Sequence, residues 1–170
     1  KLIDELKNAD IRTSWMQRIP GIKKHFKLFF LLYPLAVRSW SLRGYDLIIS
    51  SSSAYAKGIV KPKGARHITY CHTPMRFAWD YETYIRDVRL PRIIKRMLKL
   101  WMRPLRWWDI RTSRDVDQFI ANSSIVRQRI EQCYQRSAVI VHPPVETDRF
   151  SCLHSSPEPY FLVVSRLVPY

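Results

Sequence analysis

The stretch HITYCHTPMRFAWD, His67–Asp80, begins as a strand and then breaks into histidine, proline, arginine and tryptophan that no core requires. An imidazole at a strand end, here His72 with Thr73 beside it, suits a hydrogen bond to a ligand hydroxyl, and placed polar groups position a ligand and stabilise developing charge. The plainer reading is a loop histidine satisfied by backbone. Arg76 offers a guanidinium that forks onto phosphate or carboxylate, and Trp79 a flat ring for stacking. Arg76 and Asp80 stand four apart, so they equally suit a helical ion pair over a packed Trp79. Asn122 and Ser123 are polar residues at a second strand end, where their first role is a helix cap. Ser50–Ser53 and Lys57 occupy the matching place after an earlier strand, with the same two readings.

Such residues need a sheet to position them. YDLIISSSS (Tyr45–Ser53), ARHITYCH (Ala65–His72), VDQFIANSS with Asn122 and Ser123 at its end, and AVIVHPPV stopped by Pro143 and Pro144 are short apolar runs, each ending in polar or proline residues. Helical text follows three of them: AYAKGIV with a serine cap, a long basic stretch from Tyr81 to about Arg114, and SIVRQRIEQCYQR capped by Ser123 or Ser124. This alternation predicts an α/β fold, a Rossmann-like, doubly wound parallel sheet with flanking helices. Open sheets of that kind bind ligands at the carboxyl ends of their strands. The polar segment Glu146–Pro159 reads as a linker, and Tyr160–Tyr170 as a further strand. The expected domains are therefore 1–156 and the beginning of a second, 157–170.

Composition bounds the partners. The 170 residues carry 29 Lys plus Arg against 14 Asp plus Glu, a net charge of +15 that favours anionic partners: membrane surface, nucleic acid or phosphorylated small molecules. Three cysteines, Cys71, Cys133 and Cys152, without metal-ligand spacing, point to neither a disulfide framework nor a metal site and fit a reducing, cytoplasmic setting. FKLFFLLYPLAVRSW is broken by Pro34 and flanked by Lys27 and Arg38, so no membrane span is expected. The first residue, Lys1, and the run that stops at Tyr170 suggest a piece of a longer protein.

The basic stretch has a pattern of its own. Leu90, Ile94, Met97, Trp101, Leu105 and Trp108 recur at helical steps, as do Arg92, Arg96, Lys99, Arg103 and Arg106, and Pro104 should kink or divide the helix. With Trp101 beside the cations, the pattern fits a helix lying on an anionic membrane surface, where each basic residue contributes about 1 kcal/mol. It also fits a helix whose apolar stripe packs on the core under a solvated cationic face.

YCHTPMRFAWD, VDQFIANSS, HPPVETDRF and YFLVVSRLVPY occur in an order and spacing that resembles glycosyltransferase family 4, particularly bacterial O-antigen mannosyltransferases. The resemblance implies a GT-B architecture of two Rossmann-like domains, with this chain forming most of the acceptor-side one but lacking its first strand and glycine-rich loop. It implies transfer of a sugar from a nucleotide donor, GDP-mannose being the guess, to a glycan or lipid-linked acceptor, with retention and without a metal. His72 matches the family's cleft histidine, and Ser165 and Arg166 match the start of its donor-diphosphate motif. The lysine that normally follows, and the paired glutamates of the donor domain, are absent, so this polypeptide alone is expected not to turn over. HPPVETDRF departs from the commoner family pattern and reads as a hinge. Family members that extend lipid-linked glycans work at the cytoplasmic membrane face. The rival class, a non-catalytic basic domain for nucleic acid or membrane, lacks any zinc-finger, RNP-type or helix-turn-helix signature.

Overall fold

The computed structural model describes residues 8–86, 88, 90–149 and 159–163. Four strands, β1 (Leu47–Ser52), β2 (Arg66–Cys71), β3 (Gln118–Ala121) and β4 (Ala138–Ile140), form one parallel sheet in which spatial order equals chain order. Ser52 pairs with Cys71, Cys71 with Ala121 and Ala121 with Ile140, so the carboxyl ends of all four strands lie in one row. The β-branched and aromatic residues expected of strands supply this pairing.

The helices are α1 (Ile22–His25), α2 (Tyr33–Arg38), α3 (Arg76–Trp79), α4 (Tyr81–Ile85), α5 (Arg92–Ser113) and α6 (Ser124–Tyr134). Pro34 sits in the first turn of α2, where its missing N–H costs nothing. Ser123 caps α6, its Oγ accepting the Val126 N–H at 3.3 Å, as one of the two expected caps.

Side chains alternate sharply across the sheet. Ile48, Ser50 and Ser52, then His67, Thr69 and Cys71, then Phe119 and Ala121 are buried. Cys71, Phe119 and Ala121 pack with Val126, Ile130 and Tyr134 of α6, while Ile48 packs with Val37, Ile59 and Trp108. The helices that cover the sheet thus share one face. The strand order explains this: right-handed crossovers stepping always in one direction return on the same side. The expected Rossmann-like parallel sheet with flanking helices is what forms, and the described strands run in chain order without a reversal. Ile49 and Val139 are exposed on the other face.

Three local expectations also change. AYAKGIV is not a helix but a single 3-10 turn, Ala56–Gly58, without a side-chain cap. A helix there would carry a longer turn between Ser53 and Ile59, and the backbone instead presses Gly58 against Trp108, whose ring a Cβ would overlap. The text from Tyr81 onward divides before Pro91 into α4 and α5, and α5 then continues through Pro104. The strand expected at Tyr160–Tyr170 lies largely outside the described residues, and residues 159–163 are not in a strand. No helix among the described residues is long and apolar enough to cross a membrane.

Candidate active site

His72 is the first residue beyond β2, and its N–H donates to the Ser52 carbonyl at 2.9 Å, which continues the parallel ladder by one step. Two-residue alternation then aims its side chain to the open face, beside Tyr70. The ring meets Tyr70 edge-on, with centroids 5.2 Å apart. Its Nε2 lies 2.8 Å from the Oγ of Ser51 on the neighbouring strand. Ser51 points to the open face while Ser50 and Ser52 point inward, so of the serine run one member reaches the histidine. The bond engages one ring nitrogen, Nε2.

The adjacent strand ends contribute more polar groups. The Asn122 carbonyl faces His142 Nδ1 at 3.2 Å, and Ser123 Oγ donates to Asn122 Oδ1 at 3.1 Å while capping α6. Tyr70 OH reaches the Val141 carbonyl at 3.1 Å, tying β2 to the segment after β4. Thr73 Oγ1 accepts from Arg129 of α6 at 3.4 Å. Three consecutive loops, after β2, β3 and β4, therefore bring His72, Thr73, Asn122, Ser123 and His142 to one end of the sheet. His142 lay in the HPP segment read as a hinge, and its approach to Asn122 was invisible without the strand pairing.

Arg76 and Asp80 are exposed, the Asp80 N–H donating to the Arg76 carbonyl at 2.7 Å. Trp79 turns inward. Its indole N–H donates to Asp109 Oδ2 at 2.7 Å, its ring lies edge-on to Tyr134, and the Arg106 guanidinium sits 5.9 Å from its centroid. Arg106 also donates to the Ala78 carbonyl, so it braces the loop after β2 rather than extending the outer cationic row.

Beneath the loop lies a buried charge cluster. Lys57 is 1% exposed and Asp109 fully buried, with Nζ and Oδ1 2.7 Å apart. Lys57 also donates to the Asp109 carbonyl at 2.8 Å and Thr112 Oγ1 at 3.0 Å, under the rings of Trp108 and Tyr134. Tyr134 OH donates to Asp109 Oδ2 at 2.9 Å. Burial pushes the Lys57 ammonium down and the Tyr134 phenol up, and for Lys57 the adjacent carboxylate opposes the shift. Lys57, read from sequence as a cleft residue, is thus an interior one. Asp109, a single acid in a basic helix, was passed over, although an acid on a helix's core-facing row is itself a sign of a buried partner.

A second buried group lies lower in β2. His67 Nε2 contacts Ser50 Oγ at 2.8 Å and Thr69 Oγ1 at 3.2 Å, and burial lowers its pKa from 6.5 to about 4, so it is neutral. Ser165 and Arg166 lie outside the described residues. No cluster of three or more metal-ligating side chains occurs among the described residues.

A parallel α/β domain of Rossmann-like type, with its polar groups gathered at the strand ends, is the class that this geometry defines. The profile of glycosyltransferase family 4 matches residues 4–149, and the chain belongs to that family. No curated protein and no solved structure matches it. The domain is therefore of glycosyltransferase type, which in general implies a sugar donor and an acceptor.

Proposed function

We propose that the chain is the acceptor-side domain of a retaining, GT-B-type hexosyltransferase that moves mannose from GDP-mannose to a lipid-linked or polysaccharide acceptor at the cytoplasmic face of the membrane. In this reaction the bond from the anomeric carbon to the diphosphate breaks and the nucleoside diphosphate leaves with the electron pair. The acceptor oxygen bonds to the anomeric carbon on the same face and gives up its proton. No metal takes part in this reading.

The observation that carries it is His72. It stands at the carboxyl end of a central strand, held by Ser51, in a chain whose family transfers sugars. With Nε2 engaged, Nδ1 is a donor or an acceptor according to the tautomer, and in either form it can fix a sugar hydroxyl beside the reacting carbon. Thr73, Asn122 and Ser123 follow the same strand ends and, with Arg76 of α3, suit an acceptor's hydroxyl or phosphate groups. Asp80, exposed after α3, and Trp79, whose indole is held by Asp109, are assigned to the acceptor side with them. Ser165 and Arg166 are assigned to the donor diphosphate. The test incubates the protein carrying this chain with GDP-mannose labelled in the sugar and with a chloroform-soluble membrane extract. Label moving into the extract supports the reading, and label that stays in the nucleotide or is released as free sugar refutes it.

A further inference from the structure

The long helix α5 has three faces. Met102, Leu105, Asp109 and Thr112 face the core, and Arg92, Arg96, Lys99 and Arg103 form an exposed row, Lys99 paired with Glu82. One residue on, about 100° around the helix, runs a third row that neither packs nor carries charge. Ile93 (64% exposed), Met97 (58%), Leu100 (64%) and Trp107 (68%) stand in it, with Trp101 (48%) beside them. The sequence pattern placed Met97 and Trp101 with Leu105 and Trp108 on one stripe. In the fold these split into a buried and an outward set, so the outward one is not core.

A second segment lies next to it. Phe30 packs on the cluster containing Met102 and Leu105, and Tyr33 stacks on Tyr55, which tilts against Trp108. Arg38 of α2 shares a shallow depression with Trp107 and Arg111. Leu35, 60% exposed, lies one helical turn before Arg38 on the same side of α2, and Leu28 is 76% exposed.

From these we propose that α5 and the segment Phe26–Arg38 together form a docking surface for an anionic lipid bilayer. Apolar side chains next to a row of arginines satisfy both requirements of interfacial binding, insertion at the acyl boundary and attraction to negative headgroups. The net charge of +15 complements such a surface. Nucleic acid fits less well, because Ile93, Met97 and Leu100 have no flat face for bases and would stay in water on a duplex. The outward residues Ile93, Met97, Leu100, Trp107 and Leu35 are not among those assigned to sugar transfer, so the surface is tested apart from that reading, although α5 also braces the loop after β2 through Arg106.

Sedimentation with phosphatidylcholine vesicles, with and without roughly 30% phosphatidylglycerol, tests it. Anionic vesicles should bind at least tenfold more tightly than neutral ones, and added salt should weaken the difference. Replacing Arg92, Arg96 and Arg103 together by Gln should lower binding about 100-fold, at roughly fivefold for each charge. Leu100→Glu and Leu35→Glu, both at exposed positions, should each weaken binding with no change in circular dichroism or thermal midpoint. Loss with Leu100→Glu but none with Leu35→Glu overturns the two-segment surface. Equal binding to both vesicle types, no binding, or tighter binding to random duplex DNA than to anionic vesicles overturns the proposal as a whole.

Discussion

At the residue scale the site turns on two hydrogen bonds. His72 is fixed through its backbone to Ser52 and through its ring to Ser51, so the imidazole is held in one orientation. Ser51→Ala removes one of these and should lower turnover about tenfold, because a net hydrogen bond is worth about 1 kcal/mol. Both partners are exposed, so the same change should leave stability within about 0.5 kcal/mol, as denaturant titration will show. His67 makes the opposite kind of statement. Its folded pKa, lowered to about 4, lies below the ordinary 6.5, so the unfolded chain binds more protons between those values. Stability contributed by the neutral, buried ring is full above about pH 6.5 and falls as pH drops towards 4, by at most about 3 kcal/mol. His67→Gln should flatten that part of the stability profile, measured as urea midpoints at pH 7 and 4.5.

At the scale of elements, the buried pair between the turn after β1 and α5 sets the height of the loop after β2. Asp109 takes the Trp79 indole and the Tyr134 hydroxyl on one oxygen and Lys57 on the other, so three elements meet on one carboxylate. Asp109→Ala strands the ammonium in an apolar interior and should destabilise by about 3–5 kcal/mol. Replacing both partners, Lys57→Met with Asp109→Leu, should recover most of it. If the double variant is no more stable than the single one, the loss lies in Trp79 and Tyr134 rather than in the uncompensated charge. Gly58→Ala drives a methyl into the Trp108 ring and should cost about 1–3 kcal/mol in the same titrations. Much of this level was legible in the sequence. Period-two apolar runs ending in polar residues located all four strands to within a few positions, and the serine before an apolar helix marked the cap of α6. The interior was less legible. Helical spacing shows that α5 is amphipathic but not which of its two apolar rows meets the sheet, because burial is decided by neighbours distant in the chain. Lys57 misled for the same reason: its partner is 52 positions away.

For the whole molecule, parallel pairing in chain order aligns four strand ends, and that alignment converts separate loops into one site. His72 was readable as a strand-end residue, whereas its bond to Ser51 and the approach of His142 to Asn122 depend on register, which no local pattern reveals. The same winding leaves helices on one face and draws α2 against α5, whose first half carries the cationic, apolar-edged surface beside α4. A transferase that works on a membrane-borne acceptor needs both, a site at the sheet's end and a means of staying at the lipid. The measurement that tests the central claim most directly is the rate of sugar transfer by the protein carrying this chain with His72→Ala, beside the same protein unaltered, at equal folded concentration. A fall of about 100-fold or more is expected from losing a positioned polar group at the reacting centre. A rate within twofold of the unaltered protein would contradict the assignment of His72 to the site.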